Sequence, residues 1–345
     1  MNGAFAVLLV WLGMPTVLVG TPVSGTHQPY TFAEGLSIER LPNILWDKAI
    51  VKGFISDGER RSLERAEYWL CARKEVEHVY APTIGDDLME KVTYGAWALQ
   101  IICPIGASHI FLLFHDSPEG YDNIGSRHGR PLLNTLMGRL ASREDIGLAR
   151  YFDAVYSGIN RAFSEKIIRI VNPVMLLEHS MQADNLYIST LLSVMALDML
   201  FMAGQIKPFV ARLNGFLGFS THVLPVDSIY KCQPTPTVGE VVSDVYDFRN
   251  VIAHGQRIPK TPYRQPYDLR CTDGQKITDD QQPYHYAELM QEAARFLLTS
   301  SLLKIFSDNL VDLLQDDKQW GFQMNLYEHR YNNAAPPKVK KTRGR

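Results

Sequence analysis

Between Asp247 and Gly255 the chain reads Asp-Phe-Arg-Asn-Val-Ile-Ala-His-Gly, and three of these side chains can act on a phosphodiester. Histidine is the side chain that trades a proton near neutral pH. Arginine carries a permanent charge on a planar fork that matches a phosphate and the extra charge of its transition state. Asn250 can orient the imidazole of His254 or donate to a phosphate oxygen. No carboxylate cluster with metal-ligand spacing accompanies Arg249, Asn250 and His254. The chemistry on offer is metal-free cleavage in which the 2′-hydroxyl of RNA is the nucleophile. DNA lacks that hydroxyl and is not a substrate by this route.

The element that must carry these residues is a helix. The pattern predicts one from Val238 to about Ala253, with Thr237 as its cap and Gly239-Glu240 in its first turn. Asp247, Asn250 and His254 then fall at three- and four-residue steps and share a face. Arg249 lies about 140° from His254 around an ideal helix, a neighbour rather than stacked. Val241, Val242, Val245, Phe248 and Ile252 supply the apolar side. A second copy across a twofold axis would bring two sets together. The Arg-to-His spacing alone is weak, because Arg73 and His78 repeat it. That repeat lies in the charged stretch Asp57–Glu77, whose pattern predicts a solvated helix.

The segment FRNVIAHG resembles the RN-x-x-x-H-G signature of HEPN domains, in particular the Apea-like HEPN group. Upstream, STLLSVMALDMLF and KPFVARLNGFLG, within Ile188 to Phe219, are similar to that group's acidic-bearing and Arg-containing helices. The resemblance covers roughly residues 145–315, and only the signature is specific. It implies an all-α bundle that dimerises, with two signatures facing each other in one composite ribonuclease site. It implies metal-independent cleavage to a 2′,3′-cyclic phosphate and a 5′-OH, with no cofactor. Carried over residue by residue, Arg249 and His254 are catalytic and Asn250 is the polar position after the arginine. Asp198 matches the acidic residue that pairs with or orients the arginine, and Asp247 is a supporting residue. Arg212, among Phe209, Val210 and Leu213, is an alternative partner for Asp198. The implied setting is bacterial anti-phage defence or a toxin, with RNA, a second copy, and a regulatory or antitoxin partner or phage-derived trigger. Some HEPN domains are catalytically silent, so the alternative is a module that binds RNA or a partner protein.

A chain of 345 residues predicts two domains. The expected architecture is a C-terminal all-α HEPN helical bundle preceded by a smaller α+β N-terminal domain. The bundle is read from patterns at 146–162, 165–179, 185–203, 207–217, 238–253 and 284–314, with Asn172-Pro173 breaking or kinking the second. The first domain, 1–140, has no assigned role, a sensor or regulatory part being one reading; its expected strands are Val92–Cys103 and His109–His115. A polar loop is expected at Asp116–Arg130, with His128 in it, and a short helix opening at Pro131. Thr221–Thr237 reads as a linker. Residues 257–283 form a polar insertion in which Lys260, Tyr263, Arg264 and Tyr267 offer rings and charges for single-stranded RNA; packing of a surface loop fits them equally. Residues 331–345 read as a basic disordered tail.

A net charge of -2 excludes a globally basic nucleic-acid coat. Cys71, Cys103, Cys232 and Cys271 are too scattered for a zinc motif and predict reduced thiols in a cytoplasmic protein. Residues 4–20 are apolar and uncharged, but Pro15 interrupts them and no Lys or Arg precedes them. Two buried strands, a short helix or a start assigned too far upstream would each explain them. No stable membrane association is expected, although attachment through 4–20 stays open.

Overall fold

The computed structural model describes residues 16–24, 29–32, 35–40, 68–75, 82–102, 106–107, 110–117, 120–128, 141–183, 185–223, 231–233, 236–256, 268–270 and 282–334. They belong to two units, 1–156 and 157–345. In the first, β1 (Thr16–Ser24) is the hub of an antiparallel sheet. One edge of β1 pairs with β4 (Tyr68–Glu75). The other pairs with β6 (Ile110–Ser117) over Thr16–Gly20 and with β5 (Gly106–Ala107) over Val23–Ser24. β2 (Tyr30–Thr31) and β3 (Leu36–Glu39) extend the sheet beyond β4, and β7 (Gly120–His128) extends it beyond β6. The helix α1 (Pro82–Ile102) packs on β4, β1 and β3.

This unit corrects three expectations, the first two because burial erased the periodic signal. Tyr68–Glu75 is a strand and not part of a charged helix. Tyr68 to Ala72 are all at most 3% exposed, so no alternation marks the strand. Arg73 therefore leaves the solvated helix face and pairs with Glu39 of β3, 2.8 Å from Nη2 to Oε2. Val92–Ile102 is helical and not a strand. Nearly every residue there is buried, and the polar Asp87, Glu90 and Lys91 belong to the turns just before it. Gly120–His128 is no loop but the second strand of a hairpin with β6, at the edge of the sheet where glycines cost least. His115, Asp116 and His128 thus sit on strands. Ile110–Ser117 forms the strand expected at His109–His115. Of the apolar stretch 4–20, Thr16–Gly20 lies in β1; residues 4–15, the helix opening at Pro131 and His78 lie outside the described residues.

The second unit is helical. After α2 (Ala141–Ser164), within which the division between units falls, come α3 (Ile168–Gln182), α4 (Leu186–Phe201), α5 (Ile206–Leu217) and α6 (Val238–Ala253). α3 runs through Pro173 without a break. α7 (Gln282–Ser307) ends earlier than the expected Leu314, at a left-handed Asn309 followed by a 3-10 turn, Val311–Gln315. Beyond it α8 (Asp317–Ala334) occupies residues that the sequence reading left outside the bundle or in the tail. Its buried face is only the narrow seam Trp320, Met324 and Tyr327, with Phe322 and Leu326 exposed, so its pattern is faint. The linker and the insertion also gain structure. β8 (Lys231–Gln233) pairs with β9 (Asp268–Arg270), tying one segment to the other.

α4 is the helix that the others meet: it packs on α3, α7, α6 and α5. Asn185 caps it, its Oδ1 accepting from the N–H groups of Tyr187 and Ile188 at 2.9 and 3.2 Å. Its other end is held by α8, whose Trp320 Nε1 donates to the Leu200 carbonyl at 2.6 Å. Between α3, α4 and α7 runs a polar seam. The Ser180 hydroxyl meets those of Ser189 and Ser193, while the buried Arg295 donates to the Ser180 carbonyl. Burial pushes the Arg295 guanidinium down to about 10, partly offset by Glu292.

The closest helix approach is at Gly215 of α5, where a Cβ would stand 2.1 Å from the Tyr327 carbonyl oxygen of α8. Alanine gains about 1 kcal/mol of helix propensity over glycine. A clash with backbone cannot be relieved by a side-chain turn and costs roughly 3 kcal/mol. Gly215→Ala is therefore expected to lower Tm by roughly 4–8 °C, read by thermal denaturation; an unchanged or higher Tm would show that α8 does not dock there.

Candidate active site

α6 begins and ends on identifiable bonds. Thr237 is its N-cap, and the Thr237 N–H and hydroxyl both donate to the Glu240 carboxylate, at 2.8 and 3.0 Å. Val241, Val242, Val245, Phe248 and Val251 turn into the core. At the far end Gly255 takes the left-handed conformation, φ 60°. Its N–H bonds the Ile252 carbonyl at 3.1 Å and the Gln256 N–H bonds the Val251 carbonyl at 2.9 Å. These two bonds are the Schellman stop, for which glycine is the best-suited residue. His254 is consequently the C-cap, just past the last helical residue Ala253; it is exposed, and its imidazole makes no hydrogen bond among the described residues.

Arg249 is held on three sides. Its Nη1 donates to Asn250 Oδ1 at 2.9 Å. Its Nη2 lies 3.8 Å from Asp198 Oδ2 on α4, an ion pair too long for a hydrogen bond. Its Cζ stands over the Tyr246 ring, 5.5 Å from the centroid. The pair is sheltered, with the two side chains 27% and 16% exposed, yet under-bonded. Arg249 Nε and Asp198 Oδ1 are buried and have no hydrogen-bond partner among the described residues. Burial raises the Asp198 pKa above the usual value, opposed by the Arg249 charge and by the Gly204 backbone. The Tyr246 hydroxyl is raised by burial and by Asp198, against the pull of Arg249.

Arg249, Asn250 and Asp198 therefore meet, while His254 stands apart with no hydrogen bond to any of them through its ring. The Asn250 amide oxygen serves the arginine, and only its backbone carbonyl reaches His254, accepting from the His254 N–H at 3.0 Å. Asp247 is half-buried one turn before Asn250. Arg212 is not the partner of Asp198. Its guanidinium donates to the carbonyls of Phe201 and Met202, to Glu328 and to Asn325. Lys260, Tyr263, Arg264 and Tyr267 lie outside the described residues. Tyr246 was not foreseen, although it precedes Arg249 by three residues on a helix, the spacing of side-chain neighbours. Among the described residues no three His, Cys, Asp or Glu side chains gather as metal ligands. Among the same residues no single helix is long and apolar enough to cross a membrane; α4 and α5 pass that test only together, bent by 77°.

The opposed influences on Asp198 give a signed prediction. Arg249→Ala removes the larger of the two influences that oppose burial, so the Asp198 carboxyl is expected to titrate at higher pH in the variant than in the wild type, read by carboxyl 13C NMR. A carboxyl whose folded pKa is raised lends stability below the ordinary carboxylate range and loses it as pH rises through the folded pKa. The variant should accordingly lose more stability than the wild type between acid and neutral pH. A midpoint that stays put or falls would contradict the pairing.

No family model, curated protein or solved structure matches the chain, and the reading of its chemistry rests on the residues themselves.

Proposed function

We propose that this chain is a metal-independent endoribonuclease of the HEPN type, Apea-like group, with a site completed by a second copy. The observation that carries the reading is the state of Arg249: fixed by Asp198, Asn250 and Tyr246, it keeps 27% of its side chain exposed, with Nη2 beyond hydrogen-bond distance of Asp198. A phosphate oxygen is the acceptor that suits an oriented guanidinium with an open donor. His254, exposed at the helix end, supplies proton transfer.

In the reaction the 2′-OH gives up its proton to an imidazole and its oxygen attacks the adjacent phosphorus. The bond from phosphorus to the 5′-oxygen breaks, and that oxygen takes a proton. The products are a 2′,3′-cyclic phosphate and a 5′-OH. Arg249 meets the negative charge that builds on the phosphoryl oxygens. One base and one acid are needed, and two copies bring two imidazoles. A second copy also suits the helix, on which Arg249 and His254 lie about 140° apart rather than stacked. The same resemblance places the enzyme in bacterial defence or a toxin system, held off by a regulatory partner or released by a phage-derived trigger. The alternative is a silent HEPN module that binds RNA or a partner protein. Asp198 beside Arg249 favours it, since a purely structural arginine would have such a neighbour.

RNA cleavage in EDTA separates the two. Arg249→Ala and His254→Ala are each expected to lose roughly 10²–10⁴-fold in rate, with cyclic-phosphate ends on the wild-type products. Equal cleavage by all three proteins, or none by any across several RNAs, would leave the silent module as the reading.

A further inference from the structure

We infer that Tyr246 is a positioning residue for Arg249: its ring face is the seat that fixes the guanidinium on the presented edge of α6. The inference rests on the ribonuclease reading for its catalytic consequence, but its geometry stands on separate observations. Tyr246 precedes Arg249 by three residues, so the two side chains lie along one edge of the helix. The guanidinium carbon is 5.5 Å from the ring centroid. The ring cannot swing away, because it is 4% exposed and wedged against Phe209 of α5 at 4.8 Å between centroids.

The seat has work that the other contacts leave undone. Asp198 stands at 3.8 Å, too far to fix direction by a hydrogen bond. Asn250 holds Nη1 alone. Two contacts of this kind leave the guanidinium plane free to turn about the Nη1 bond. A buried aromatic face removes that freedom without occupying any N–H, since the ring attracts the cation through its electron-rich face. The Nη2 edge, which makes no hydrogen bond to Asp198, is thereby left for a phosphate. A carboxylate in the same place would fix the plane equally well and consume the donors. The Tyr246 hydroxyl is not part of this device, so phenylalanine can replace it.

Two readouts test the seat. The first is the Arg249 Nε–Hε resonance in 15N-labelled full-length protein, assigned by its loss in Arg249→Lys. It is expected at a ring-current-shifted position in the wild type and in Tyr246→Phe, and at an ordinary arginine position in Tyr246→Leu. The second is RNA cleavage. Tyr246→Leu is expected to lower kcat roughly tenfold with KM little changed, the scale of one sheltered cation–π contact, and Tyr246→Phe to restore most of it. An unshifted wild-type resonance would overturn the seat even if Tyr246→Leu failed to fold. So would equal cleavage by the leucine variant and the wild type. If the wild type cuts no RNA, the ribonuclease reading fails and the resonance alone decides the seat.

Discussion

A guanidinium that must stay partly sheltered on a helix otherwise turned into the core is the constraint around which the helical unit is arranged. α6 buries Val241, Val242, Val245, Phe248 and Val251, so Arg249 has only one edge to occupy. A charge there needs compensation from the neighbouring helix, because an uncompensated one costs several kcal/mol. α4 provides it with Asp198, the sole charged residue of that helix. Asp198 lies three residues before the helix ends, and that end is tied down from elsewhere. Arg212 of α5 bonds the Phe201 and Met202 carbonyls and reaches Glu328 and Asn325 of α8; Trp320 of α8 bonds the Leu200 carbonyl. The position of Asp198 thus depends on a helix more than a hundred residues further on.

This dependence explains what could be read from the sequence. The bounds of α6, its Thr237 cap and its buried valines are local: a cap and a periodic face. A lone carboxylate at Asp198 called for a partner, but only the resemblance favoured Arg249 over Arg212. The Schellman stop was written in the Gly255 that follows His254. Tyr246 was legible in principle by its three-residue spacing, but a tyrosine inside a buried helix looks like core until a cation is seen above it. α8 was not legible, because three buried residues in eighteen leave little amphipathic contrast.

The sheet unit failed differently. Its errors at Tyr68–Glu75 and Val92–Ile102 are mirror images, strand taken for helix and helix for strand, and both arise where nearly every side chain is buried. Periodicity reports the difference between two faces, and when both are covered there is no difference to report. Length was the better guide: the helix is 21 residues and the strand eight. The decoy at Arg73 was rejected for a reason that the fold replaces. It belongs to a strand and is occupied by Glu39, rather than idle on a solvated helix.

Three sheltered arginines of the helical unit show why burial alone does not identify a site. Arg295 is the most buried and spends its bonds on the Ser180 carbonyl and hydroxyl, inside the seam between α3, α4 and α7. Arg212 is half-buried with each end of its fork engaged by a carbonyl, a carboxylate or an amide. Removing either would leave acceptors stranded, which is what a structural arginine predicts. Arg249 differs in what it withholds. It touches a carboxylate at ion-pair distance, an amide and a ring, and its Nε and the facing Asp198 Oδ1 both go without a partner. A cation that is oriented, partly exposed and held only at ion-pair distance from its counter-ion keeps charge to offer, and that is the ground on which a phosphate is proposed as its ligand.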